Sequence, residues 1–156
     1  MCIEQSDPPS LLITAPWDSP EAHREWIRCS ENQACNEKLS EYIAPGCNSV
    51  ILFHMDPAGR QPEMQTSFAP KGSFNVCSIT VNAGQRGSLQ RAYQELEDGF
   101  LSQGGGQKVW AGWGIKKSGD AADFVVFGSD DVPDEHLHSL MSFSDDTDHH
   151  RFKHVV

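Results

Sequence analysis

The sequence contains two copies of one pattern, a capped helix followed by a strand that carries a histidine. Asp18-Ser-Pro-Glu-Ala-His23 resembles Asp131-Val-Pro-Asp-Glu-His136 in residue type and order. Downstream of each copy, Phe53-His54-Met55 resembles Lys153-His154-Val155. The repeat predicts an α+β chain built from two unequal units that follow the same plan.

The first unit is predicted to span residues 11–55 and to be incomplete. Leu11–Thr14 is a short apolar run that suits a buried strand. Ser19 and Pro20 are residue types favoured at the N-cap and first position of a helix. Two helical pieces and a strand over Val50–Met55 are predicted to follow. Residues 1–10 are predicted to be an irregular leader, and residues 56–72, rich in proline and glycine, a surface linker.

The second unit, residues 73–156, is predicted to be a complete ferredoxin-like repeat with the order β-α-β-β-α-β. Gly84 and Gly87 are expected to bracket a turn, so its first helix is expected to begin near Ser88. The remaining predicted elements are a strand over Phe74–Val81, a helix to Phe100 that ends at Gly104, a hairpin of Val109–Ile115 with Phe124–Phe127, a helix over Pro133–Met141 and a strand over His149–Val155.

Charge and cysteine content exclude several classes of protein. Twelve Lys and Arg against 22 Asp and Glu give a net charge of −10, which opposes binding to nucleic acid or an anionic membrane. Five cysteines without a CxxC pair indicate neither a disulfide framework nor a zinc ribbon. No apolar run approaches the roughly 20 residues that cross a bilayer. The sequence therefore predicts a cytoplasmic protein.

The pattern Trp17-x-Ser19-x-Glu21-Ala22, with Trp26, Ser30 and a histidine-bearing strand after it, resembles the dimeric α+β barrel superfamily. The resemblance is to its antibiotic-biosynthesis-monooxygenase-like branch, and to fungal members that fuse two such halves. It covers residues 11–55 and 73–155. It implies antiparallel sheets that close into a barrel. The first half lacks an opening β-α-β, so a homodimer is predicted to cover the strand edges left exposed.

Strand alternation selects the candidate catalytic residues. In Val50–Met55, alternate side chains place His54 towards the barrel interior. In the last strand, His150, Phe152 and His154 share the inward face. His54 is predicted to be the general base and His154 a second polar catalytic group, because imidazole exchanges protons near neutral pH. The alternative is that both histidines are structural and bond to backbone or water.

Aromatic residues are the candidate walls of a binding site. Trp26 and Trp113 are predicted to bind a flat substrate together with His150 and Phe152, and the alternative for Trp26 is a hydrophobic anchor of its helix. Trp110 must face the opposite side of its strand from Trp113. His23 is assigned to a solvated helix face. Neither a metal nor a cofactor is predicted.

The resemblance implies several functions, since its members include cofactor-free oxygenases of aromatic polyketides, cyclases, isomerases, haem-degrading enzymes and proteins with no known reaction. The resemblance and the candidate residues together predict a small-molecule tailoring enzyme that acts on an aromatic or polyketide-like ligand. The predicted reaction is cofactor-free oxygenation, or acid/base cyclisation or isomerisation. The alternative is a non-catalytic ligand-binding or assembly protein on the same scaffold. Whether the chain is an enzyme stays open at this point.

Overall fold

The computed structural model describes residues 1–41, 52–61, 72–104, 107–115 and 120–155. The chain divides into two compact units. One, here called the sheet unit, comprises Met1–Thr14 and Met55–Val156. The other, here called the helical unit, comprises Ala15–His54.

The sheet unit is a curled, half-barrel antiparallel sheet with helices. Its described strands are β1 (Cys2–Glu4), β2 (Leu11–Leu12), β3 (Met55–Pro57), β4 (Ser73–Asn82), β5 (Val109–Gly114), β6 (Ala121–Ser129) and β7 (Thr147–His154). They lie side by side in the order β2-β1-β7-β4-β6-β5-β3. The described helices are α1 (Pro20–Ile27) and α2 (Ser30–Ser40) in the helical unit, and α3 (Ala83–Ser102) and α4 (Asp134–Met141) in the sheet unit.

The element order predicted for the second half is confirmed. Residues 73–154 run β4-α3-β5-β6-α4-β7, and their strands lie in the order β7-β4-β6-β5. The predicted hairpin is also confirmed, since β5 and β6 are antiparallel neighbours with Val109 opposite Gly128. This arrangement is compatible with a ferredoxin-like fold.

Both faces of the sheet are packed with apolar side chains. On the helix-covered face, Ile79 and Val81 of β4 meet Leu89 and Tyr93 of α3 and Leu137 of α4, all nearly inaccessible to solvent. The opposite face, here called helix-free because its cluster contains no residue of α3 or α4, carries a second buried cluster of bulky side chains. Its members are Phe74, Trp110, Val125, Phe127 and Phe152. Along β4, Phe74 and Val76 face the helix-free cluster, whereas Cys77, Ile79 and Val81 belong to the helix-covered one, in keeping with strand alternation.

Helix α3 begins earlier than the sequence predicts. The Asn82 side chain accepts a hydrogen bond from the Gln85 backbone N–H at 3.1 Å, and the Gln85 side chain accepts one from the Asn82 N–H at 3.4 Å. This reciprocal capping box satisfies donors that the first turn leaves free. The turn predicted at Gly84 and Gly87 is therefore wrong, because both glycines lie inside the helix. The predicted helix end is confirmed, with Gly104 at φ 69°.

The N-terminal predictions need three corrections. The leader is not wholly irregular, because Cys2–Glu4 forms β1 and pairs with β7. The strand predicted over 50–55 is wrong for residues 52–54, which are not in a strand, and pairing begins at Met55. The predicted linker begins with strand residues and the buried Ala58. Residues 42–51 and 62–71, where the rest of these predictions fall, lie outside the described residues.

Replacing Asn82 with Ala is expected to lower the free energy of unfolding by about 1 kcal/mol, because it removes the N-cap of a 20-residue helix. Urea denaturation measures the change. Ser88→Ala is the matched control. Ser88 lies within the first turns of α3 with its side chain exposed to solvent, so the free energy of unfolding should stay within about 0.5 kcal/mol of the original value. The reverse result, a large loss for Ser88 and none for Asn82, would contradict the helix start described here.

Candidate functional site

The helical unit places its aromatic side chains through the start of α1. The Ser19 hydroxyl accepts a hydrogen bond from the Ala22 backbone N–H at 3.1 Å, and Pro20 occupies the first helical position. These residues fix where the helix begins, as the sequence predicts. His23 and Trp26 are three residues apart and therefore project from the same side of α1.

A side-chain cap also defines the start of α2. The Cys29 sulfur accepts from the Asn32 backbone N–H at 3.5 Å, and the Asn32 side chain donates to the Ile27 carbonyl at 3.0 Å. Asn32 is the only buried residue among those described in 15–54. Spacing in the sequence predicts an apolar stripe that includes Trp26 and Cys35, but both residues are exposed, so this stripe does not form a core among the described residues. Local caps and ring contacts define the described part of the helical unit.

Two indoles and two imidazoles form what we call the Trp–His cluster, made of Trp17, His23, Trp26 and His54. The Trp17 ring stacks on His23 with centroids 4.3 Å apart and planes 9° apart. Trp26 lies 5.2 Å from Trp17 and 5.9 Å from His23. His54 approaches His23 edge to face, with His23 Nδ1 and His54 Nε2 at 3.0 Å. The predicted site residues His54 and Trp26 thus belong to one cluster.

Burial and charge act in the same direction on His23. Burial lowers the pKa of His23 from its ordinary 6.5, and a positive charge on the neighbouring His54 lowers it further. Two imidazolium groups within hydrogen-bond distance repel each other, so the doubly protonated pair is disfavoured. The cluster therefore places two titratable imidazoles beside flat apolar indole surfaces.

Trp113 belongs to the sheet unit and lies on the helix-covered face. Its indole N–H donates to the Gln90 side chain at 2.5 Å, and the Arg86 guanidinium sits 4.5 Å above the ring. Phe124 packs against it with centroids 4.5 Å apart. As predicted from alternation, Trp110 lies on the opposite face, against Phe127. Trp110, rather than Trp113, therefore shares a face with Phe152.

The candidates on β7 lie on or beside the helix-free face. Phe152 is buried and stacks on Phe74 at 5.9 Å. The His150 ring lies 6.4 Å from Phe152, and its Nδ1 is 2.6 Å from a carboxylate oxygen of Glu4. Hydrogen bonds from Ser10, which has the larger effect, and from His150 lower the pKa of Glu4. His154 is half-buried opposite Cys2. The substrate and catalytic roles of these residues stay predictions.

Sequence reasoning missed two members of the cluster. His23 was assigned to a solvated face because acidic residues surround it, yet it is half-buried against His54. Trp17 was treated as part of a motif only. It packs on His23, the fourth residue of α1, in a contact close to the hydrophobic staple that commonly precedes a helix. With Ser19 as the N-cap, the staple position is Asp18 and Trp17 lies one residue before it, so the staple pattern does not by itself predict this contact.

The described residues hold no group of three or more His, Cys, Asp or Glu side chains placed to bind a metal ion. Within the same ranges, no helix has both the length and the apolar character that crossing a bilayer requires. Comparisons of the chain with protein-family models, with curated proteins and with solved structures found no match.

The titration of His23 follows from its surroundings. We expect its midpoint, read from ring-proton chemical shifts, to fall below 6.5 and to rise in His54→Ala, which removes both the covering ring and its charge. The folded chain then binds fewer protons than the unfolded chain. The free energy of unfolding should therefore decrease as the pH falls through this range. His138→Ala, which removes an exposed histidine of α4, should leave the midpoint of His23 unchanged. A midpoint at or above 6.5 would contradict the described contact.

Proposed function

We propose that the chain is a small-molecule tailoring enzyme that binds a flat aromatic or polyketide-like ligand at the Trp–His cluster and performs acid/base chemistry on it. The observation that carries the proposal is the 3.0 Å contact between His23 and His54 beside two indoles. An apolar surface and a positioned proton acceptor are the minimum that such a reaction needs.

His54 is the proposed general base and Trp26 a wall, as in the sequence-based prediction, and Trp17 joins them as a second wall. Trp17 is 37% exposed and Trp26 is 42% exposed, so part of each indole is open to a ligand. Stacking on such rings favours flat aromatic molecules. Cyclisation or isomerisation fits an imidazole pair directly. Cofactor-free oxygenation is the other branch, and neither branch calls for a cofactor.

The proposed evolutionary relationship is to the dimeric α+β barrel superfamily. It is supported by the Trp17–Ser30 motif, the β-α-β-β-α-β order of residues 73–154 and the curled sheet. A shared fold does not fix a reaction, so the proposed chemistry rests on the cluster. His150 and Phe152, on the helix-free face of the sheet, stay proposed ligand-binding residues, and His154 stays a proposed second polar catalytic group.

A non-catalytic ligand-binding protein is the second candidate. The exposure of both indoles favours it, because enzymes that use general bases commonly exclude water around the reacting group. The two candidates share the ligand class and differ in whether a bound ligand loses a proton.

Phenylpyruvate, an aromatic acid with exchangeable benzylic protons, is a suitable probe. We expect bound phenylpyruvate to quench the tryptophan fluorescence of the chain. We also expect the chain to accelerate the exchange of the benzylic protons with D2O, which proton NMR measures. His54→Ala should retain binding and lose at least about 100-fold in exchange rate, the usual minimum for a general base. Trp26→Ala should weaken binding about tenfold through the lost ring contact.

Arg24→Ala is the matched control, since Arg24 is an exposed residue of the same helix that pairs with Glu21. It should leave binding and exchange unchanged. Binding by the unaltered chain without any exchange would support the second candidate. Loss of the native circular dichroism in His54→Ala would instead assign His54 a structural role.

We also propose that the chain forms a homodimer. Among the described strands, β2 and β3 end the sheet and each pairs on one side only. Leu11 of β2 is 48% exposed, and Ile13, just after it, is 61% exposed. Natural proteins usually cover or charge such an edge, and this one carries neither charge nor proline over residues 11–14.

Light scattering at micromolar concentration is expected to give the mass of a dimer. Ile13→Lys should shift the chain towards the monomer, because it places a charge beside the edge that the partner covers. Ile115→Lys is the control: Ile115 is 38% exposed and follows β5, which lies next to β3, the other terminal strand of the described sheet. A monomeric mass for the unaltered chain would contradict the proposal.

A further inference from the structure

We infer that His23 and His54 form a two-imidazole proton relay, which passes a proton between a bound aromatic acid and water. This inference rests on the proposed function and deepens it, because it gives His23 a part in the proton transfer and defines the path of the proton. Its basis is the identity of the two facing atoms, His23 Nδ1 and His54 Nε2, at 3.0 Å.

The protonation of one ring fixes that of the other. A neutral imidazole carries one proton, on Nδ1 or on Nε2. A hydrogen bond between His23 Nδ1 and His54 Nε2 needs one proton between these atoms. Consequently both rings carry their proton on Nδ1, or both carry it on Nε2. Any mixed arrangement sets two lone pairs, or two N–H groups, against each other.

The outer nitrogens, His54 Nδ1 and His23 Nε2, are therefore always one acceptor and one donor. When both rings are protonated on Nε2, His54 Nδ1 can take a proton from a C–H or O–H bond of the ligand. The proton on His54 Nε2 then moves to His23 Nδ1, and the proton on His23 Nε2 passes to water. The ligand is left as an anion and water gains the proton. Both rings are now protonated on Nδ1, with no net charge on the pair and no oxidation or reduction.

The surroundings of the pair suit this transfer. The Trp17 ring covers one face of His23 with nearly parallel planes, which restrains the imidazole and leaves its ring edge directed at hydrogen-bond partners. The ring centroids lie 5.1 Å apart with planes at 74°, and the facing nitrogens are 3.0 Å apart. Burial and the charge of His54 lower the pKa of His23, which disfavours a doubly protonated pair that could not accept a proton.

The ligand class follows from the same geometry. The indoles favour a flat aromatic body, and the outer nitrogens are the two that do not take part in the contact between the rings. They are therefore suited to a ligand at one end and water at the other, rather than to adjacent atoms of one small group. An aromatic acid with a proton on carbon beside a carbonyl, or on a phenol, fits this arrangement.

Nitrogen-15 NMR of the full chain, at a pH where both rings are neutral, tests the pairing without a ligand. The expected result is the same tautomer for His23 and His54, or the same average of the two forms. Protonation of His23 on Nε2 together with His54 on Nδ1 would overturn the relay, because no proton would then lie between the facing atoms.

His23→Gln tests the transfer. A glutamine amide can hydrogen-bond to His54 but cannot pass a proton from one end to the other. Benzylic exchange of phenylpyruvate in D2O should fall at least about tenfold but by less than in His54→Ala, while binding is unchanged. The reason is that His54 stays in place as a base and must now hold the ligand's proton as a cation beside the indoles. Arg24→Gln, on the exposed side of the same helix, should exchange at the original rate.

The outcomes separate this inference from the proposed function. Exchange at the original rate in His23→Gln, with exchange still lost in His54→Ala, would overturn the relay and leave the general base in place. Undiminished exchange in His54→Ala would overturn the proposed function. If the unaltered chain fails to accelerate exchange, the proposed function fails for this ligand class, and mismatched tautomers would overturn the relay independently.

Discussion

The two-sided packing of β4 is the constraint on which the sheet unit depends. This ten-residue strand pairs with β6 on one side and β7 on the other, so its backbone groups are satisfied within the sheet. Ile79 and Val81 point to the helix-covered face, and Phe74 points to the helix-free face. A central strand that is apolar on both faces is stable only when both faces are kept from water. Helices α3 and α4 cover one face, and aromatic packing fills the other.

Aromatic size explains how the helix-free face is kept dry. Phe74, Trp110, Phe127 and Phe152 each present a large ring, and their centroids lie within 6.4 Å of a neighbouring ring. Offset and tilted ring pairs of this kind contribute roughly 0.5–1.5 kcal/mol beyond the area they bury. Gly112 belongs to the same face, where a Cβ would come within 2.8 Å of Met55 Cβ. A glycine in β5 therefore lets the edge strand β3 approach.

The sheet unit could be predicted from the sequence because its signals are periodic and local. Alternating apolar residues over Phe74–Val81 and a 3.6-residue stripe in α3 give the type and order of elements directly. The boundary at Asn82 was missed because Gly84 and Gly87 suggest a turn, whereas the deciding signal is the capping pair Asn82 and Gln85. Pro57 suggested a linker, although an edge strand tolerates proline.

The candidate site could be predicted only in part, because it depends on a contact between residues far apart in sequence. Residue type and a resemblance to a family motif select His54 and Trp26 from the sequence. The strand that was expected to orient His54 is absent over residues 52–54, and the ring meets His23 instead, 31 positions away in sequence. Periodicity reports which face of an element a residue occupies. It contains no information on which distant side chain that face will meet.

The solvent exposure of the Trp–His cluster limits the kinds of reaction that it could catalyse. In most enzymes the largest contribution to the rate enhancement comes from fixed dipoles in a site that excludes water. Two indoles that are each more than one third exposed do not provide such a site. A positioned general base by itself contributes about 10²–10⁴-fold. A relay that keeps the imidazole pair uncharged adds to this, since no cation has to be desolvated beside the tryptophans. Proton transfer from a weakly acidic aromatic ligand, the proposed reaction, therefore makes smaller demands on the cluster than a reaction that needs strong stabilisation of a buried charge.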